Sequence, residues 1–198
     1  MISRCAYVTS DPLYIKYHDT EWGVPVYDDR TFFEFLILEG AQAGLSFYTI
    51  LKKRDHFRSA FDSFNPQKVA IYDEDRLAIL MQDKGIIRNR LKLQSAINNA
   101  KAYLAIQATY GSFSSFIWGF VDGQPVINEW KTKEEVPVNT PLSDRMSKEL
   151  KLKGFTFVGS TICYSFMQAT GMIMDHTTDC FRYAELSAQH HKLAHDGR

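Results

Sequence analysis

Leu36-Ile37-Leu38-Glu39-Gly40-Ala41-Gln42-Ala43-Gly44-Leu45-Ser46-Phe47 is the stretch on which the reading of this chain turns. The run before Glu39 holds Phe32, Phe33, Phe35, Leu36, Ile37 and Leu38 and leaves little polar surface, so it predicts a buried helix. One carboxylate, Glu39, follows the apolar run. Gly40, Ala41, Ala43 and Gly44 then let another body approach the backbone closely. Leu45 and Phe47 stand beyond Gly44 as large apolar groups in a turn. On local pattern alone the preferred reading is a helix end, with Glu39 exposed and Gly40 as terminator. The other reading puts Glu39 at the wall of an apolar site, where a carboxylate suits recognition or catalysis.

Outward from that stretch the chain reads as a series of short helices. Asp11-Pro12 is an N-cap followed by a first helical residue, and Tyr7, Tyr14, Tyr17 and Trp22 make this opening unusually aromatic. Asp28 or Asp29 caps the central helix. Ser46 caps a further helix that should end near Phe61. Asn65-Pro66 and Asp73 or Asp75 start two more. Arg88 to Tyr110 has apolar residues near a 3.6 period and predicts a long helix ended by Gly111. Ser112 to Phe120 is a short aromatic helix, and Asp122 to Pro141, with its glycine and prolines, reads as a long loop. Ser143 caps a helix to Lys153. Gly154 to Gly159 is a tight connection, and Ser160 to Thr170 is an apolar helix. No alternating run supports a strand, so the expected fold is all-α.

The chain has 198 residues, 45% hydrophobic and 23% charged, which is ordinary globular composition. No apolar run is long enough to span a bilayer. The N-terminus lacks the basic and apolar regions of a signal peptide. A cytoplasmic location with no membrane partner is expected. Three cysteines argue against a disulfide framework. Basic and acidic residues balance at 23 each, which argues against a general polyanion binder. Lys84, Arg88, Arg90, Lys92 and Lys101 form a local basic run that by itself reads as a solvated helix surface.

Cys5, His18, His176 and Cys180 offer two sulfur and two nitrogen ligands, a set that suits a closed tetrahedral zinc site. His176 and Cys180 lie four residues apart and can share one face. Most of the chain separates the two pairs, so spacing alone leaves open that these are buried core or surface groups instead. His190, His191 and His195 lie in a polar terminal segment and read as incidental.

Taken together, these residues resemble the DNA-3-methyladenine glycosylase I family. The matching segments are Arg4-Cys5, Asp11 to Pro25, Leu38 to Ser46, Gly85 to Lys92 and Gly154 to Ala169, spread from the start of the chain to Cys180. The resemblance implies a helix-hairpin-helix glycosylase fold, with residues 1–183 as one helical domain of two lobes around a base pocket. Residues 184–198 are expected to be a polar, flexible tail. It implies a monofunctional DNA glycosylase that flips N3-methyladenine out of alkylated double-stranded DNA, excises it by hydrolysis and releases 3-methyladenine, acting as a monomer. It implies one structural Zn2+ per chain on Cys5, His18, His176 and Cys180. Glu39 takes the catalytic role, Tyr7, Tyr14, Tyr17, Trp22 and Phe47 bind the base, and Gly44, Leu45, Gly154 and Gly159 contact DNA. Leu45 is the wedge. Related glycosylases place an Asp just before the position of His176, where the register here offers Met174, so Asp175 is a secondary candidate. The family typically carries Trp at position 47, and often at position 7, where this chain has Phe47 and Tyr7. The alternative is a non-catalytic, zinc-stabilised module of the same fold that binds lesions or bases. A zinc-stabilised interaction protein without a nucleic-acid role is a third reading.

Overall fold

The computed structural model describes residues 2–196, with side chains through residue 188. It is mostly helical. Helix α1 (Pro12–Thr20) starts where Asp11 accepts from the Leu13 and Tyr14 amides. Helix α2 (Asp29–Gln42) is capped by Asp28 and buries every residue from Phe32 to Ala41. A helix that is apolar all round belongs inside, and α2 is the centre of the molecule. Around it lie α3 (Phe47–Leu51), the long α7 (Arg90–Tyr110), α8 (Phe113–Trp118) and α10 (Ser160–Ala169). Helices α4 (Arg54–Ala60), α5 (Pro66–Val69) and α6 (Glu74–Gln82) complete one side. Helix α9 (Pro141–Leu152) pairs with α10 across a tight hairpin, and α11 (Phe181–Asp196) closes the chain.

Two residues settle the ends of α2. Asp29 accepts from Gln107 and from the Phe113 and Ser114 amides, so its start is tied to the start of α8. At the other end Lys92 donates to the Ala41 and Ala43 carbonyls at 2.8 and 2.6 Å. A cation there satisfies carbonyls that the helix leaves unpaired. Lys92 therefore belongs to the core architecture rather than to a free basic surface, and Arg90 of the same run is paired with Glu74.

The structure differs from the sequence expectations at several places. The helix expected from Ser46 to Phe61 breaks between Leu51 and Arg54. Arg54 there turns inward to ion pairs with Glu34 and Glu21, both at 2.5 Å, a tertiary demand with no local signature. Helix α9 is capped by Thr140, not Ser143, because Pro141 occupies its first position and Ser143 returns its hydroxyl to the Thr140 amide. A two-residue parallel bridge joins β1 (Val126–Ile127), inside the stretch expected to be loop, to β2 (Ile173–Met174). Phe181–Asp196 is helical, and its Leu186 is buried. The side chains of His190, His191 and His195 lie outside the described residues. Among those described, no helix is long and apolar enough to cross a membrane.

The strap from Glu21 to Val26 crosses the end of α10. Gly23 and Val26 donate to the Gln168 and Thr170 carbonyls, each at 3.0 Å. Gly171 makes this crossing possible. Its φ is +66°, and a Cβ there would stand 2.3 Å from the Val24 carbonyl carbon. Gly171→Ala is expected to cost on the order of 3 kcal/mol, from strain plus overlap with backbone. That corresponds to a melting temperature roughly 10 °C lower. A thermal melt within ~2 °C of wild type would contradict the close approach.

Candidate functional site

Beside α2 lies a cavity of about 500 Å³. The opening segment and α1 contribute Tyr7, Tyr14, Tyr17 and Trp22, and α3 contributes Phe47. Tyr17 packs on Phe47 with ring centroids 5.0 Å apart, and Tyr7 meets Trp22 edge-on at 5.3 Å. Phe47 thus keeps an aromatic wall, without the indole N–H that a Trp would bring. Five expected base-binding residues therefore share one cavity.

Glu39 and Gln42, three residues apart on one face of α2, line the same cavity. Glu39 is not the exposed helix end of the local reading: it is only 2% exposed, and α2 continues past it to Gln42. Tyr7 Oη, Glu39 Oε2 and Gln42 Oε1 are buried polar atoms with no hydrogen-bond partner. Such orphans are rare in folded proteins and call for an explanation. Burial pushes the Glu39 carboxyl up to about 8. Burial, and after it the Glu39 charge, holds the Tyr17 phenol well above its usual value. Glu34, five residues earlier on α2, is also buried but pairs with Arg54 and Arg58. The contrast separates a structural carboxylate from one left free at a cavity.

The remaining walls were not expected from the sequence. Helix α10 contributes Thr161, Tyr164, Ser165 and Gln168, and the segment 133–138 contributes Lys133, Glu134 and three apolar residues. The α10 set has the spacing of one helix face and was readable as such. The 133–138 segment carries no periodic signal. Asp175, the secondary candidate, is fully buried and does not line the cavity. It accepts hydrogen bonds from four side chains instead.

Leu45 sits in the turn after α2, 41% exposed, next to Gly44 at φ +79°. Lys92 holds this turn through Ala43, so the exposed leucine and the cavity wall share one rigid support. On another edge the α9–α10 hairpin runs through Gly154 at φ +91° and Phe157 at φ +55°. Buried Asn99 of α7 grips it, donating to the Thr156 carbonyl and accepting from the Thr156 amide. Gly159 precedes α10 and supplies no side-chain cap, which leaves the first amides of that helix free to meet an anion.

Cys5, His18, His176 and Cys180 come together, all buried, with their ligand atoms within 4.8 Å of one another. Three sulfur–nitrogen separations are 3.5, 3.6 and 3.6 Å. A tetrahedral ion about 2.3 Å from sulfur and about 2.0 Å from nitrogen would set that edge at roughly 3.5 Å. The free nitrogen of each ring is also held. His18 Nδ1 is 2.7 Å from Asp19, itself paired with Arg4. His176 Nε2 is 3.0 Å from the Trp22 carbonyl. Such outer contacts fix ring orientation and leave the inner nitrogens for a metal. The donor set therefore fits a metal ion, and all four positions of a tetrahedron would be taken by protein.

Fold and cavity together define a mostly helical protein with an aromatic chamber suited to a flat ring and a helical hairpin at its edge. Residues 7–183 match the model of the family described as methyladenine glycosylase, and the chain belongs to that family. It is 50% identical over 182 residues to DNA-3-methyladenine glycosylase 1 of Escherichia coli, covering 92% of this chain and 97% of that protein. A crystal structure of 3-methyladenine DNA glycosylase I superposes with a TM-score of 0.89 at 52% identity, covering 90% of this chain and 98% of the other. The Staphylococcus aureus enzyme, solved to show how it recognises 3-methyladenine, superposes at 0.88 with 39% identity, covering 90% and 95%.

Proposed function

We propose that this chain is a monofunctional DNA glycosylase that excises N3-methyladenine from alkylated double-stranded DNA by hydrolysis. The observation that carries this reading is the buried, unpartnered Glu39 carboxyl at the wall of an aromatic cavity. The names of the relatives point the same way. A base inside a duplex is out of reach, so the nucleotide must rotate out and enter the cavity. The methylated adenine of the nucleotide carries a positive charge, which aromatic faces attract. Ionised Glu39 selects that ring by charge and accepts its N–H groups.

Cleavage breaks the bond between the sugar C1′ and the base nitrogen. The base keeps the electron pair and so leaves neutral, without a general acid. Positive charge moves to the sugar, and water supplies the oxygen that bonds C1′ and loses a proton to solvent. Binding substrate and transition state equally would not speed this step. Glu39 accelerates it by stabilising the charge arriving at the sugar. Leu45 fills the gap left by the rotated nucleotide. The Gly154–Gly159 hairpin and the free amides of α10 hold phosphate through backbone. Such contacts need no net positive charge, which agrees with the balanced composition.

In this reading Cys5, His18, His176 and Cys180 hold one structural zinc ion. With four protein ligands it has no open position, so it fastens the chain ends and takes no part in the reaction. The protein acts as a monomer inside the cell.

The test is incubation of the purified protein with methylated duplex DNA, followed by chromatography of the released bases. Release of 3-methyladenine at a rate proportional to enzyme is the expected result. Binding of 3-methyladenine with no release would establish the non-catalytic alternative, and binding of neither base nor methylated DNA would overturn both.

A further inference from the structure

Asp175 is fully buried one position before His176. Its Oδ1 accepts from Asn128 Nδ2 at 2.7 Å and Trp130 Nε1 at 2.8 Å. Its Oδ2 accepts from the Tyr164 hydroxyl at 2.5 Å and Gln168 Nε2 at 2.7 Å. A carboxylate has about four lone-pair sites, and here each has a donor. No lone pair is left to take a proton from an attacking water. The group is also outside the cavity lining.

The four donors come as two pairs, and each pair serves a different wall. Tyr164 and Gln168 stand one turn apart on α10, and both line the cavity. Asn128 and Trp130 stand at the root of the segment that carries Lys133, Glu134 and Val138 to the cavity. That root is further fixed by the β1–β2 bridge and by the Thr178 amide, which donates to the Trp130 carbonyl at 2.8 Å. Past the root, Glu135 folds the segment on itself through the Lys131 and Thr132 amides. Among side chains, one carboxylate therefore joins the root of the segment to the cavity face of α10.

We propose that Asp175 is a positioning residue that sets the width of the base cavity by holding the α10 wall and the 133–138 wall to a single buried group. A flat ring gains from stacking only when both walls stand at contact distance, so a looser chamber loses affinity before it loses its fold. The proposal rests on the excision reading for the identity of the ring. Its test does not depend on turnover.

Asp175→Asn keeps the shape but turns one acceptor into a donor facing donors. Calorimetric titration with free 3-methyladenine is expected to show Kd about tenfold weaker than wild type. Bound metal should be unchanged, kcat/KM should fall at least as far, and the pH at which kcat/KM changes should stay where it is. Trp130→Phe removes one donor from a residue outside the cavity, and a smaller loss of the same kind is expected. If Asp175→Asn does not fold, Trp130→Phe with Asn128→Ala carries the test alone. Wild-type Kd and kcat/KM in the folded variants would overturn the proposal. Unchanged Kd with lost turnover and a displaced pH profile would also overturn it, by placing Asp175 in the chemistry. A wild type that binds the base but releases none would defeat the excision reading while leaving the Kd comparison decisive for Asp175.

Discussion

Glu39→Gln is expected to lose most base release and to gain stability, and the gain should grow with pH. The loss follows from the electrostatic role. Removing one group that faces charge developing in the transition state typically lowers kcat by a factor of about 100 or more. The gain follows from burial. The carboxyl stands at about 8 in the folded protein against an ordinary value of 4.5. Between those two values the folded state keeps a proton that the unfolded state has released. Stability of the wild type therefore falls as pH rises through this window, and the full penalty is present above it. Glutamine has no such term. The variant and wild type should melt alike near pH 4, and the variant should be more stable by on the order of a few kcal/mol at pH 8. Melts across that range check the sign. A stability difference independent of pH would show that Glu39 is not held in a desolvated site.

The same raised value shapes the activity. In the free enzyme, kcat/KM for the positively charged lesion should climb with pH through about 8, as Glu39 ionises. Once a cationic ring is bound beside it, the carboxylate is favoured, so the limb in kcat should lie at lower pH. The expense of holding Glu39 ready without a partner is a local loss of stability of the kind found where function and folding compete. Glu34 shows how a carboxylate of the same helix is treated when it serves structure: Arg54 and Arg58 of α4 bring two guanidinium groups to it.

How much of this was legible beforehand depended on whether the deciding force was local. The caps at Asp11, Asp28, Ser46, Asn65 and Asp73 satisfy the first amides of their own helices, and such residues announce themselves in sequence. The burial of α2 was written in an apolar run from Phe32 to Leu38 that only Glu34 interrupts. The break at Lys52–Lys53 was not, because it serves Arg54 and its partners on two other elements. The cavity was half legible. Its aromatic wall and Glu39 stood out by residue type, whereas the 133–138 wall depends on Asn128 and Trp130 reaching Asp175 across the fold. Asp175 looked like a secondary catalytic candidate from its place beside His176. Its four donors come from sequence positions that nothing local connects to it.

Removal of the proposed zinc should have the largest effect on the fold. The pairing of Cys5 with His176 joins positions 171 residues apart, so a bound ion closes nearly the whole chain into one loop. Stripping it leaves two thiols and two imidazoles buried together, and breaking the set by one ligand removes folding free energy directly. Cys180→Ser is expected to cost on the order of 5 kcal/mol. That corresponds to a melting temperature about 10–20 °C lower. The base cavity should fail with it. His176 holds the Trp22 carbonyl and packs against Gly23, and Trp22 is a cavity wall. Loss of metal should therefore weaken 3-methyladenine binding even in protein that remains folded at low temperature, the more so because His18 also lines the cavity. Elemental analysis of untagged protein should give about one zinc per chain. A tag-free preparation matters because a histidine tag binds metal of its own. Chelation under mild denaturant should release the ion and lower the melting temperature together. A metal-free protein with unchanged melting and unchanged base affinity would show that the four side chains are a buried polar cluster and not a metal centre.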